Sequence, residues 1–300
     1  MVFGAVVSVQ CGSAIATGLF DSLGPEGAVF LRALLGGAVF LLFSRPSVRI
    51  FREPGFREVL VFAVVLFGMN SCFYAAIDRI PLGAAVTLEF IGPLGIAIYG
   101  SRRKLDLVWV LLAVVGILLL SDGLGADGLL SLGAAFAIGS GLFWGAYIVQ
   151  SARVGARFPG VGALAVAITI SAVLGAPLGI VEGGADLLTP GALAVSLAVG
   201  ILSTVIPYTL EMEALRRIPN AVFGVMMSLE PAVAALVGLL LLSQGLNTTE
   251  VVAIGLVVVA SAGALRSSAS RSPRHKAAVD GKGRSSHPFG HRRDQVEDQV

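Results

Sequence analysis

Ten apolar runs, most of them close to 20 residues long, limit what this chain can become. They cover 1–20, 27–43, 59–77, 81–99, 107–121, 128–150, 161–181, 191–213, 219–242 and 250–265. A helix needs about 20 mostly apolar residues to cross the roughly 30 Å hydrocarbon core of a bilayer. Ala, Gly, Val and Leu fill the runs, and none alternates in the manner of a barrel strand. Because lipid satisfies no backbone polar groups, helices are the remaining way to span it. The reading is an all-α integral membrane protein with ten transmembrane helices. Composition agrees, with 56% apolar and 13% charged residues against roughly a quarter charged in soluble domains. The second and fifth runs are short and draw on their flanks. The first opens at Met1 with no basic segment ahead of it, which argues against a removable leader and leaves room for a start further upstream.

Charge collects in the connections, and it alternates. Connections 44–58 (Arg45, Arg49, Arg52, Arg57), 100–106 (Arg102, Arg103, Lys104), 151–160 (Arg153, Arg157) and 214–218 (Arg216, Arg217) hold eleven Lys and Arg. The intervening ones, 21–26, 78–80, 122–127, 182–190 and 243–249, hold only Arg79. Basic connections stay on the cytoplasmic side, so both termini are expected inside. One helix more or fewer would scramble this alternation. Residues 266–300 are rich in Ser, Gly and basic residues, from Arg266 to Arg293, and are expected to form a disordered cytoplasmic tail, either simply solvated or resting on anionic headgroups. His275, His287 and His291 all lie there, without an ordered scaffold for a metal site. Cys11 and Cys72 sit inside apolar runs with no metal or redox spacing.

An internal repeat organises the runs. Arg79-Ile80-Pro81 matches Arg217-Ile218-Pro219 at an offset of 138, and the same offset carries Pro93 onto Pro231 and Gly100 onto Gly238. It equates the fourth run with the ninth. Runs five apart cross in opposite directions, so the chain reads as two inverted five-helix repeats, 1–121 and 128–265, followed by the tail. Inverted repeats are a mark of transporters, whose substrate sites lie near the midplane between the halves.

Ionisable groups inside the runs need a reason, since each costs about 2.5–3.5 kcal/mol on insertion scales. Glu89 lies eight residues past Pro81, about 12 Å deep, and Glu230 eleven past Pro219, about 16 Å deep. Glu230 aligns with Gly92, nearly one turn from Glu89, so the two carboxyls occupy similar faces of equivalent helices. A carboxyl in such a setting can exchange protons or pair with an ammonium; the alternative is a structural carboxyl that fixes packing. Pro93 and Pro231 follow closely and are read as helix kinks beside a cavity, or as ordinary bends. Arg32 either snorkels outward or pairs with Glu89 or Glu230. Gln10, Asn70, Tyr74 and Tyr208 line a cavity or bond between helices. Of Glu211 and Glu213, at least one is expected to pair with Arg216 or Arg217, and Glu211, the deeper, is a candidate to face the cavity. Gly141–Gly145 and Gly175–Gly179 have the spacing of close helix contacts. Asn247-Thr248-Thr249 matches a glycosylation acceptor, a triplet common by chance.

No enzyme signature survives. The chain has no P-loop, no HExxH and no clustered Asp-rich motif, and no run contains a His for a Ser–His pair. No cofactor is called for.

Longer motifs carry a resemblance. Ile201-Leu202-Ser203-Thr204-Val205-Ile206-Pro207-Tyr208-Thr209-Leu210-Glu211-Met212, Leu215-Arg216-Arg217-Ile218-Pro219 and Phe223-Gly224-Val225-Met226-Met227-Ser228-Leu229-Glu230-Pro231-Ala232 resemble the eighth and ninth helices of EamA-type transporters of the drug/metabolite transporter superfamily. The likeness is to the threonine/homoserine exporter branch. Gly68-Met69-Asn70, Phe73-Tyr74, Ile80-Pro81-Leu82-Gly83, Glu89-Phe90-Ile91-Gly92-Pro93 and Ser101-Arg102-Arg103 are similar too, so the match spans residue 8 to about 265. The resemblance implies a bacterial inner-membrane secondary transporter of two EamA repeats that exports small amphipathic amino acids in exchange for protons. One position departs: Thr17 stands where the branch carries a Lys. The expected partners are a small-molecule substrate, protons and the lipid bilayer, with no nucleic acid; the glycine pairs leave a homodimer open. Rival readings are export of another metabolite or a drug-like amine, and a non-transporting membrane sensor or assembly protein. On the transport reading, runs 1, 3, 4, 6, 8 and 9 line the cavity.

Overall fold

The computed structural model describes residues 1–98, 104–120, 131–158, 160–217 and 226–269. The expectations for Arg102-Arg103, connection 122–127, Ile218-Pro219, residues 223–225 and the tail from 270 onward, with its three histidines, lie outside them. Among the described residues twelve α-helices are delimited, in order α1 (Val2–Thr17), α2 (Phe20–Ser44), α3 (Phe56–Ile77), α4 (Leu82–Glu89), α5 (Ile91–Ile98), α6 (Lys104–Leu120), α7 (Leu132–Arg157), α8 (Gly162–Gly183), α9 (Pro190–Gly200), α10 (Ile206–Arg217), α11 (Glu230–Leu241) and α12 (Thr248–Ala269). No strand occurs among the described residues, and each of the ten apolar runs carries helix. Five stretches, Phe20–Ser44, Phe56–Ile77, Leu132–Arg157, Gly162–Leu188 and Pro190–Glu211, are long and apolar enough to cross a bilayer, and five further apolar helices are shorter. Large side chains such as Phe43 (78% exposed) and Val181 (85%) face outward. Water tolerates few such contiguous surfaces, whereas lipid requires them. The chain is a multi-pass membrane protein. Helix α12 runs to Ala269, four residues into the segment expected to be tail.

Three broad pairings build the bundle: α2 with α8, α3 with α7, and α6 with α12. Around them α3 also meets α8, α2 meets α9, α4 meets α7 and α11, and α1 meets α10 and α11. Glycine permits the closest approaches. A Cβ on Gly36 of α2 would stand 3.1 Å from the Gly200 Cα, and one on Gly141 of α7 only 2.5 Å from the Glu89 carbonyl oxygen. Gly179 of α8 lies against the Glu26 carbonyl in the same way. Gly141 and Gly179 thus serve contacts within this chain.

Interruptions of the helices are compensated by side chains distant in sequence. Gly24 takes a left-handed φ of 66° that favours glycine, and Pro25 follows it. Beyond this break the N–H groups of Glu26 and Gly27 donate to Glu182 Oε2 at 2.6 and 3.3 Å, while Ser71 Oγ donates to Glu26 Oε2 at 2.9 Å. The α4–α5 break falls at Phe90, with Pro93 in the first turn of α5. A turn at Ser228-Leu229 likewise precedes α11, with Pro231 in its first turn. Proline is tolerated there because first-turn N–H groups lack helical acceptors anyway. The Leu82 N–H that opens α4 is capped by Gln244 Oε1 at 3.0 Å.

Between α9 and α10, Ile201–Val205 widens into a π turn in which the Ile206 N–H reaches back to the Ile201 carbonyl. In that register the Leu202 carbonyl would await the N–H of residue 207, which is proline and has none. Ser8 Oγ of α1 donates to it instead, at 2.7 Å. Asn247-Thr248-Thr249 has a structural role. The Asn247 side chain accepts from the Glu250 N–H (2.8 Å) and Glu250 accepts from the Asn247 N–H (2.9 Å), a capping box that starts α12.

Ser8→Ala removes the hydroxyl partner of the Leu202 carbonyl, and an orphaned buried acceptor costs about 1–3 kcal/mol. Thermal unfolding of the purified variant in detergent is expected to show a lowered midpoint, whereas Ser8→Thr, which keeps the hydroxyl, is expected to retain most of the stability.

Candidate functional site

The helix breaks and the π turn surround a cavity of about 160 Å³. Its walls come from α1, α2, α3, α4, α7, α8, the π turn, α10 and the start of α11. Glu89, Glu230, Gln10, Asn70, Tyr208 and Arg32 all line it. Tyr74 does not. It is fully buried behind the wall, against the Phe20 and Phe73 rings, with its hydroxyl unpartnered among the described residues. The second and seventh runs, expected to stay outside the lining, contribute Arg32 with Ala33 and Ile168 with Ser171. Pro93 and Pro231 lie at the breaks rather than on the wall, while Pro207 of α10 reaches it.

The two carboxyls are held in matching ways. Ser140 Oγ of α7 lies 2.6 Å from Glu89 Oε1 and 2.9 Å from the Met69 carbonyl. Gln10 Nε2 of α1 donates to Glu230 Oε1 at 3.1 Å, and Gln10 Oε1 and Glu230 Oε2 have no partner among the described residues. Buried polar groups left in this state are costly unless something in the cavity meets them.

Pairing with Glu89 or Glu230, one of the two alternatives read for Arg32, is not found among the described residues. No described carboxylate lies within 4.0 Å of it. Its Nη2 donates to Asn70 Oδ1, its guanidinium lies 5.0 Å from the Tyr74 ring centroid, and its Nε has no partner among the described residues. Asn70 is itself oriented by an Nδ2 bond of 2.6 Å to the Leu66 carbonyl, one turn back on α3. The guanidinium thus meets a neutral oxygen and a π face, and no described carboxylate.

Glu211 also lines the cavity, and it makes no hydrogen bond or ion pair among the described residues. Its neighbour Glu213 pairs with Arg217 at 2.5 Å. Sequence reasoning missed Ser13, Ser140, Trp144, Tyr147, Ser171, Ser203 and Thr204. Helical spacing offered the signal: Ser13 lies three residues after Gln10, Tyr147 three after Trp144, and Glu211 three after Tyr208. Trp144 stands edge-on to Phe90 at 5.1 Å, which anchors the wall at the α4–α5 break. Thr17, the departure from the branch pattern, bonds back to the Ala14 carbonyl at 2.7 Å and lies off the cavity wall.

A membrane helix bundle with a small cavity lined by acids from two broken helices has the architecture of a transporter of small molecules. Similarity to known proteins narrows the class. Residues 131–266 match the EamA-like transporter family. The threonine/homoserine exporter RhtA of Escherichia coli strain K12 is 40% identical over 260 residues, 86% of this chain and 88% of that one, and RhtA of Salmonella typhimurium strain LT2 shows the same figures. The uncharacterized transporter YwfM of Bacillus subtilis is 26% identical over 261 residues, 81% and 86% of the two chains. A solved crystal structure, 22% identical, shares the fold with a TM-score of 0.63 over 88% of this chain and 94% of its own. The chain belongs to the EamA-like transporter family.

Ser140→Ala leaves the Glu89 carboxyl without its partner. The expected outcome is a loss of about 1–3 kcal/mol in stability, read by thermal unfolding, with Ser140→Thr close to the parent protein. An unaltered midpoint in the Ala variant would show that Glu89 does not depend on this contact.

Proposed function

We propose that this chain is a secondary transporter that exports small amino acids of the threonine/homoserine type in exchange for protons across a bacterial inner membrane. The observation that carries the reading is the cavity lined by three carboxyls and one arginine, none of them ion-paired among the described residues, in a chain 40% identical to threonine/homoserine exporters along most of its length. Its volume supports a small metabolite over a drug-like amine, since sites for drug-sized ligands run to roughly 300–1,000 Å³.

Ten spans in two inverted repeats, 1–121 and 128–265, are part of the proposal. Count α4 with α5 as one element, and α9 with α10 as another. Exchanging each element for the one five further on turns the α3–α7 contact into α1–α10, α3–α8 into α2–α9, and α4–α7 into α1–α11. The α2–α8, α4–α11 and α6–α12 contacts map onto themselves. At the offset of 138 the break at Phe90 falls on Ser228. Glu89 is held by Ser140 from the first helix of the second repeat, and Glu230 by Gln10 from the first helix of the first. The family match at 131–266 coincides with the second repeat. The alternating basic connections support cytoplasmic termini.

In this mechanism the halves rock about the cavity. Glu89 and Glu230 carry protons between the two faces, while Gln10, Asn70 and Tyr208 orient the substrate. Efflux from cells loaded with labelled threonine tests it. Glu230→Gln, folded as judged by monodispersity in detergent, is expected to lose dependence on the proton gradient and to slow gradient-driven efflux by about tenfold or more, roughly 1.4 kcal/mol of driving interaction. Undiminished proton-driven efflux in both Glu89→Gln and Glu230→Gln would defeat the coupling.

A further inference from the structure

The geometry points to a division of labour in the cavity: Arg32 anchors the carboxylate of the substrate while Glu230 and Gln10 take its ammonium group, so the site reads the zwitterion of a free amino acid. This deepens the transport reading and rests on it. Arg32 is the cation among the lining residues and is 8% exposed. A guanidinium keeps its charge in a protein, so Arg32 does not serve as a proton carrier. Its fork has five N–H donors; Nη2 is engaged by Asn70, and among the described residues Nε has no partner and no carboxylate neutralises the group. A buried cation without an anion is costly, and the planar fork matches two carboxylate oxygens side by side. Asn70, fixed by Leu66, holds the guanidinium in place, and the Tyr74 ring covers part of it, so the fork is oriented before any anion arrives.

Complementary groups stand on α1 and α11. Gln10 Oε1 and Glu230 Oε2 are without a partner among the described residues, and the bond between these two side chains sets them next to one another. An ammonium offers three donors and satisfies both. Glu89 and Glu211 are further carboxyls on the same wall. Neutral amides and simple amines lack the group that Arg32 requires, and hydroxy acids lack the group that Glu230 requires. The site thereby discriminates by charge at both ends and does not depend on shape alone.

The test is counterflow of labelled threonine in proteoliposomes holding the full chain, with three competitors: threonine, threonine amide, and 2,3-dihydroxybutanoate, which replaces the ammonium by a hydroxyl. Threonine is expected to compete roughly 10–100-fold better than either analogue, the range of a lost charge-assisted bond. In Arg32→Gln the threonine and amide values are expected to converge, with Arg32→Lys in between. Equal competition by the amide in the parent protein overturns the anchor, and so does an Arg32→Gln variant that keeps the preference. Equal competition by the hydroxy acid overturns the ammonium end. If Arg32→Gln does not fold, the competitor series on the parent protein decides by itself. Absence of any threonine flux would count against the transport reading instead. Melting shifts of the purified protein then read the site directly: stabilisation by threonine and not by the amide retains the anchor, and equal or absent shifts remove it.

Discussion

An ionisable side chain inside a membrane protein must be surrounded by polar partners, and those partners have to come from other helices. This constraint shapes the molecule. Glu89 leans on Ser140 and Glu230 on Gln10, each bond joining segments 51 and 220 residues apart. Neither acid neutralises the arginine on the same wall, which instead meets an amide oxygen and an aromatic face. A buried salt bridge would have closed the cavity on itself. Keeping the charges apart leaves polar capacity for something else to meet, at a desolvation cost that direct pairing would have reduced.

Backbone groups obey the same rule. Where Pro207 prevents the π register from closing, Ser8 supplies the missing donor, and where α4 begins, Gln244 supplies the missing acceptor. The irregular backbone at Phe90, at Ile201–Val205 and at Ser228-Leu229 lies in the elements that border the cavity. That is where a membrane protein can hold non-helical backbone away from lipid. Glycines at 36, 141 and 200 then let the helices close around it.

Much of this was legible in advance because the features are local. Run length, the basic connections, Glu89, Glu230 and the two prolines can all be read within one segment. What escaped depends on which face a helix turns inward, and here almost every face is apolar. Tyr74 and Asn70 lie four residues apart on α3, yet the ring packs behind the wall while the amide lines it. Arg32 was read as either snorkelling outward or pairing with an acid, and its bond to Asn70 depends on a helix that the segment itself does not reveal. Ser140, Ser171 and Ser203 hardly register in a hydropathy profile, and their importance comes from the helix packed opposite. Asn247-Thr248-Thr249 looked like a chance acceptor triplet because the reciprocal capping with Glu250 needs a fourth residue to be seen. The broken helices at Phe90 and Ser228 were foreseeable from proline, whereas the π turn before Pro207 was not.

The Ser140 hydroxyl carries a single hydrogen and stands within reach of two acceptors, the Glu89 carboxyl and the Met69 carbonyl. When Glu89 is charged, both sites only accept, and the serine serves one at the expense of the other. When Glu89 holds a proton, the acid donates to the serine and the serine to the backbone, so both links stand together. One hydroxyl thus ties the occupancy of an acid on α4 to how firmly α7 grips α3 at the residue next to Asn70.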